Sequence, residues 1–253
     1  MNHSRYDSID ALRGLAIVWM TVFHFCFDLN HFGWIKLQML TDPVWTIQRT
    51  LIVSLFLFCA GLGQAVALAR SEPGQVFSPA FWRRWAQVAG AAVLVSAGSW
   101  WIFGKGYIYF GVLHGIAAML VLLRCMAGVG RWFWPLGLFF IAISWIAFVA
   151  HGYSSELDFL HTKAFNWLGL IRVKPFTQDY VPVLPWLGVM CWGLAAGQWA
   201  LARRPGWLMR PLLGARLTAP LALLGRWSLT YYLLHQPVLM GLMTAVAWLL
   251  NQS

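Results

Sequence analysis

The chain has 253 residues, 60% of them hydrophobic and 10% charged, where an ordinary soluble domain carries about 25% charge. That balance excludes a soluble enzyme and leaves no polar stretch long enough for a second domain, so residues 1–253 read as a single transmembrane domain. The formal net charge of +10 does not point to nucleic acid, because the basic residues sit in short loops between apolar runs, the pattern of membrane topology signals.

Seven apolar segments predict an all-α, polytopic membrane helix bundle, at roughly 9–29, 44–69, 85–103, 107–124, 132–150, 183–202 and 220–249. At about 1.5 Å per residue, each can cross a hydrocarbon core of ~30 Å, some with tilt. The first follows Asp7 and Asp10, and either Asp7 or Ser8 can cap it. It contains Arg13 and has no Ala-x-Ala-like exit, so it reads as a permanent helix rather than a cleavable signal. Between Arg13 and His24 only Thr21 is polar, and Asp28 lies one turn beyond His24. The second segment carries Arg49 inside its apolar run, and the fourth carries His114. The loop 151–181 holds Glu156, Asp158, His161, Lys163, Trp167, Asp179 and Tyr180. In the sixth segment Gly193 and Gly197 have the spacing that lets membrane helices approach closely. The last segment is overlong and contains Pro237, which predicts a kink, or an interfacial start near 217–224.

Orientation follows from the cations. With the N-terminus in the cytoplasm, twelve fall inside (Arg5, Arg13, Arg70, Arg83, Arg84, Arg124, Arg131, Arg203, Arg204, Arg210, Arg216, Arg226) and six outside (Lys36, Arg49, Lys105, Lys163, Arg172, Lys174). The four cysteines, Cys26, Cys59, Cys125 and Cys191, lie in or beside apolar runs and read as buried free thiols. No disulfide and no metal site is expected.

Ionisable groups at membrane depth are functional candidates by default. His24 lies roughly 16 Å beyond Arg13 along a helix, and His235 roughly 14 Å beyond Arg226. Arg49 and His114 fall at similar depths. On the last segment Ser228, Tyr231 or Tyr232, and His235 share a face, with Gln236 and Pro237 following. Each has a plainer reading. His24 could be a neutral histidine bonded to a neighbouring helix, Asp28 and His31 interfacial groups, and Arg13 the i,i+3 partner of Asp10. The inner arginines could be topology signals alone, or could grip an anionic cofactor.

The motifs carry a resemblance. Ser8-Ile9-Asp10-Ala11-Leu12-Arg13-Gly14-Leu15-Ala16 resembles the opening of the transmembrane acyltransferase superfamily, and Arg13-x10-His24 the arginine–histidine signature of acyltransferase-3 proteins. Phe23-His24-Phe25-x-x-Asp28-Leu29, Gly111-Val112-Leu113-His114-Gly115, Asp179-Tyr180-Val181-Pro182 and Gly225-Arg226-Trp227-Ser228, running on to His235-Gln236-Pro237, resemble bacterial members of the heparan-α-glucosaminide N-acetyltransferase catalytic-domain family. The resemblance implies a membrane enzyme moving an acetyl or other short acyl group from cytoplasmic acyl-CoA to an amine or hydroxyl of an extracytoplasmic sugar or glycan. It implies acetyl-CoA as co-substrate, an inner-membrane location and a catalytic histidine near the outer side. His24 matches one branch of the superfamily; His31-Phe32-Gly33-Trp34 matches the His-x-x-Trp stretch of the other.

On this reading His24, Asp28 and His31 are the catalytic candidates. Arg49, His114, Asp179, Tyr180, Tyr231, His235 and Gln236 would contact the reacting substrates, and Arg13, Arg84 and Arg226 the CoA phosphates. The partners are the lipid bilayer, acyl-CoA and a glycan acceptor; oligomeric state stays open. A transporter or flippase using the same polar groups as a pathway is the alternative, and a haem protein with histidine axial ligands a third.

Overall fold

The computed structural model describes residues 6–72, 74–210 and 214–250; Arg5, one of the twelve inner cations, lies outside them. The fold is all-α. Its α-helices are α1 (Asp7–His31), α2 (Pro43–Ala69), α3 (Pro79–Phe103), α4 (Val112–Cys125), α5 (Phe133–Ala150), α6 (Trp186–Arg203), α7 (Gly214–Arg226) and α8 (Ser228–Leu250), joined in places by short 3-10 turns. Among the described residues five helices are long and apolar enough to cross a membrane: α1, α2, α8, and α3 and α5 with their adjoining turns. Helix α4 is shorter, at 14 residues, and α6 carries Gln198 and Arg203 in its last two turns.

Three sequence expectations need correction. The last apolar segment is two helices, broken at Trp227, and α8 continues through Pro237. Neither Ser8 nor Asp7 caps α1: Tyr6 holds that position, and its side chain does not cap the helix. The buried Ser8 hydroxyl instead faces the Leu208 and Arg210 carbonyls. None of the four cysteines forms a disulfide, but only Cys59 and Cys191 are buried; Cys125, at the end of α4, is exposed.

The chain forms two compact units. The first comprises residues 1–56 and 205–253. In it α7 runs antiparallel to α1, with Gly14 against the Leu221 backbone and Gly225 against that of Asp10. A Cβ on Gly225 would lie 1.8 Å from the Asp10 carbonyl oxygen, so only glycine permits this approach. Helix α8 runs parallel to α1, as the pairs Thr21–Tyr231, His24–His235 and Asp28–Gln236 show. An apolar cluster of Met20, Phe23, Met39 and Ile52, flanked by Trp19, Trp45 and Tyr231, packs beside this seam.

The second unit comprises residues 57–204. Helix α6 packs through glycine on two neighbours: Gly193 meets the Phe58 backbone and Gly197 meets Leu62 and Ala65 of α2, while Gly188 meets Gly137 of α5. The Gly193/Gly197 spacing therefore works as expected. Helix α3 begins at Ser78-Pro79, where the serine hydroxyl accepts the Phe81 N–H at 3.2 Å.

Candidate active site

Helix α1 places His24 and Asp28 one turn apart, and α8 places His235 and Gln236 opposite them. The two imidazoles meet at 5.2 Å between centroids, at 64°. Asp28 is 1% exposed, and its Oδ1 accepts the Gln236 Nε2–H at 2.7 Å. Asp28 Oδ2, Gln236 Oε1 and His235 Nε2 are buried with no hydrogen-bond partner. Native structures rarely leave such atoms unpaired, so three on adjoining side chains mark a place where a ligand or water completes the bonding.

Hydroxyl roles follow from proton counting. Thr21 gives its proton to the Ile17 carbonyl at 2.8 Å, so in the 2.8 Å contact with Tyr231 the phenol is the donor. Tyr231 in turn stacks on His235, centroids 5.9 Å apart at 11°. Proline at 237 has no N–H to give the Leu233 carbonyl. His31 is exposed at the end of α1, its ring edge-on to Phe32 at 5.6 Å. Arg49 is exposed on α2 beside Gln48, which accepts the Trp19 indole N–H at 3.2 Å.

At the other end of the same unit, Arg13 pairs with Asp10 at 2.9 Å and Arg226 with Asp7 at 2.8 Å. Arg226 also lies 3.9 Å from Asp10. Both arginines remain partly exposed, at 28% and 41% of the side chain.

The remaining candidates belong to the second unit. Arg84 is exposed on α3 and reaches Gln87 at 3.1 Å. His114 has both ring nitrogens engaged. Nδ1 accepts the Gly111 N–H at 3.3 Å, so Nε2 carries the proton and donates to Ser96 Oγ at 3.0 Å. Ser96 passes its own proton to the Ile108 carbonyl at 2.7 Å. Asp179 accepts the first α4 N–H, that of Val112, at 2.8 Å, and Tyr180 donates to the Asn166 carbonyl. Burial, with Tyr109 beside it, pushes the Tyr180 phenol above its usual range, keeping it a donor. The Gln178 and Val181 N–H groups, donating to the Gly106 and Phe110 carbonyls, and the Thr177 hydroxyl, donating to the Tyr107 carbonyl, fasten residues 106–111 to 177–181, and Phe110 and Tyr180 form a β-bridge there.

Heparan-alpha-glucosaminide N-acetyltransferase, catalytic, is the family whose model matches the chain, over residues 5–237. The chain belongs to that family. No curated protein and no solved structure matches it significantly. Heparan-α-glucosaminide N-acetyltransferase-type proteins use acetyl-CoA, and this chain is a multi-pass membrane acetyltransferase of that type. Its matched span takes in both catalytic histidine candidates and the whole α1–α8 pair up to Pro237.

Sequence reasoning missed Arg124 as anything but a topology signal. It is 2% exposed, donates to Gln64 Oε1 at 2.6 Å and the Val76 carbonyl at 2.7 Å, and lies over the Phe81 ring at 4.9 Å. The signal was available: Gln64 and Arg124 each interrupt a long apolar stretch.

Proposed function

We propose that this protein moves an acetyl group from cytoplasmic acetyl-CoA to an amine or hydroxyl of an extracytoplasmic sugar or glycan, with the α1–α8 histidine pair as the reacting centre. The observation that carries this reading is the His24–His235 contact beside three buried polar atoms without a partner among the described residues, on Asp28, His235 and Gln236, in a chain of this family. The charge bias puts the N-terminal end of α1 in the cytoplasm, so Arg13 and Arg226 stand at the donor side and His24 lies roughly 16 Å deeper. Arg13 and Arg226 grip CoA phosphates through their planar donor forks. His24 serves as base or acyl carrier, and Asp28, one turn away, steadies its charged form. Tyr231 and His114 have their protons committed elsewhere, which leaves Arg49 as the group for the developing oxyanion. His31, at the outer end of the same helix, is the rival to His24. The location is the inner membrane.

The test is release of free CoA thiol by purified protein given acetyl-CoA and amino sugars, with His24→Ala alongside. Thiol release that disappears in the variant supports the reading. Movement of the sugar into liposomes without thiol release, or full transfer by His24→Ala, would overturn it.

A further inference from the structure

The two facing histidines are not equivalent, and their difference assigns the proton-accepting role. His235 Nδ1 lies 2.8 Å from the Tyr232 backbone carbonyl. A carbonyl oxygen only accepts, so the hydrogen is on Nδ1 and the neutral ring carries its lone pair on Nε2. That nitrogen is buried and has no partner. The ring is held flat against Tyr231, itself pinned by its donation to Thr21. His24, by contrast, makes ring contacts with Phe23 and His235 but no hydrogen bond with any described residue, so nothing selects its tautomer.

We propose that His235, through Nε2, takes the acceptor's proton in place of His24, and that the acetyl group passes directly from the thioester to the acceptor. This rests on the reading of the α1–α8 seam as the reacting centre. The neutral amine or hydroxyl attacks the thioester carbonyl carbon. A new N–C or O–C bond forms as the C–S bond breaks and CoA leaves as its thiolate. The proton lost by the acceptor passes to His235 Nε2, and the Nδ1–H bond to Tyr232 holds the ring as it becomes imidazolium. The backbone carbonyl here does the orienting that a carboxylate does in a catalytic triad. His235 then returns the proton to the thiolate.

The test compares His235→Asn with His24→Ala in purified protein, using acetyl-CoA with glucosamine or with hydroxylamine as acceptor. Asparagine keeps an N–H where Nδ1–H stood and removes the base. The expected result is a kcat with glucosamine lower by about 10²–10⁴-fold, an unchanged KM for acetyl-CoA, and a much smaller loss with hydroxylamine, a stronger nucleophile. Equal losses with both acceptors indicate a structural role and overturn the proposal. Near-normal turnover in His235→Asn while His24→Ala is dead overturns it too, but leaves the seam as the reacting centre. Full activity in both variants removes the seam itself. Should the asparagine variant not fold, nitrogen NMR of histidine-labelled wild-type protein decides: an unprotonated Nε2 on His235 is expected, and a protonated Nε2 with bare Nδ1 overturns the assignment.

Discussion

Asp28 and Gln236 lock α1 to α8 through one bond, and their other oxygens, Asp28 Oδ2 and Gln236 Oε1, are left over. Replacing Gln236 by Leu strips the buried carboxylate of its donor, and the expected cost is about 1–3 kcal/mol, read as a lower melting temperature in detergent. Asp28→Asn should cost less, since an amide oxygen still accepts from Gln236. Arg124 is the corresponding staple of the second unit, tying α4 to α2 and to the chain before α3 through Gln64 and Val76. Arg124→Ala orphans both acceptors and should cost about 2–4 kcal/mol. Arg124→Lys should recover only part of that, because an ammonium lacks the fork and the flat face that meets Phe81. The identities of His24, Asp28 and His235 were legible because charge and imidazole stand out in apolar runs. Their proton bookkeeping was not: which nitrogen of His114 or His235 carries hydrogen depends on carbonyls brought near only by the fold.

At the scale of elements, glycine decides where helices touch. Gly14, Gly61, Gly193 and Gly225 each face a backbone within 2.2 Å of where a Cβ would stand, whereas Gly90 in α3 meets nothing within 4 Å. Gly225→Ala should therefore push α7 away from α1, loosen the Arg226–Asp7 pair and cost about 1–3 kcal/mol or more. Gly90→Ala should be neutral or stabilise by up to about 1 kcal/mol, through helix propensity alone. Thermal unfolding of the two variants side by side checks the contrast; equal effects would mean that α7 does not seat on α1. The Gly193/Gly197 spacing disclosed α6 packing from sequence. The α7–α8 break at Trp227 was harder to place, because that residue keeps the run apolar, although the interfacial start expected near 217–224 falls within α7. Helix α8 continues through Pro237, and the pairs Thr21–Tyr231 and Asp28–Gln236 hold the part before it to α1.

Helix directions within the second unit bear on how many times the whole chain crosses the membrane. Helix α6 runs with α2, since Gly193 meets Phe58 and Gly197 meets Leu62 and Ala65. It runs against α5, since Gly188 meets Gly137 while the Trp192 indole reaches back to the Trp134 carbonyl at 3.0 Å. So α5 opposes α2. If α3 returns the chain across the membrane after α2, then α5 can oppose α2 only if α4 crosses as well, although its 14 residues span only about 21 Å. Helix α6 then crosses in its turn, and α8 starts on the same side as α1, as their parallel packing requires. On that premise the count is seven crossings, the number of apolar runs, where length and hydropathy alone qualify five helices among the described residues. The exposed Cys125 at the end of α4 reports this directly. With the N-terminus in the cytoplasm, α4 ends inside, so a membrane-impermeant maleimide should label Cys125 in inverted vesicles and not in intact cells, while the buried Cys59 and Cys191 stay unlabelled in both. A Cys125→Ser control identifies the labelled site. Labelling of Cys125 from outside intact cells would mean that α4 turns back without crossing, or that the whole topology is inverted; a second cysteine placed at the exposed residue Lys36, between α1 and α2, separates those two outcomes.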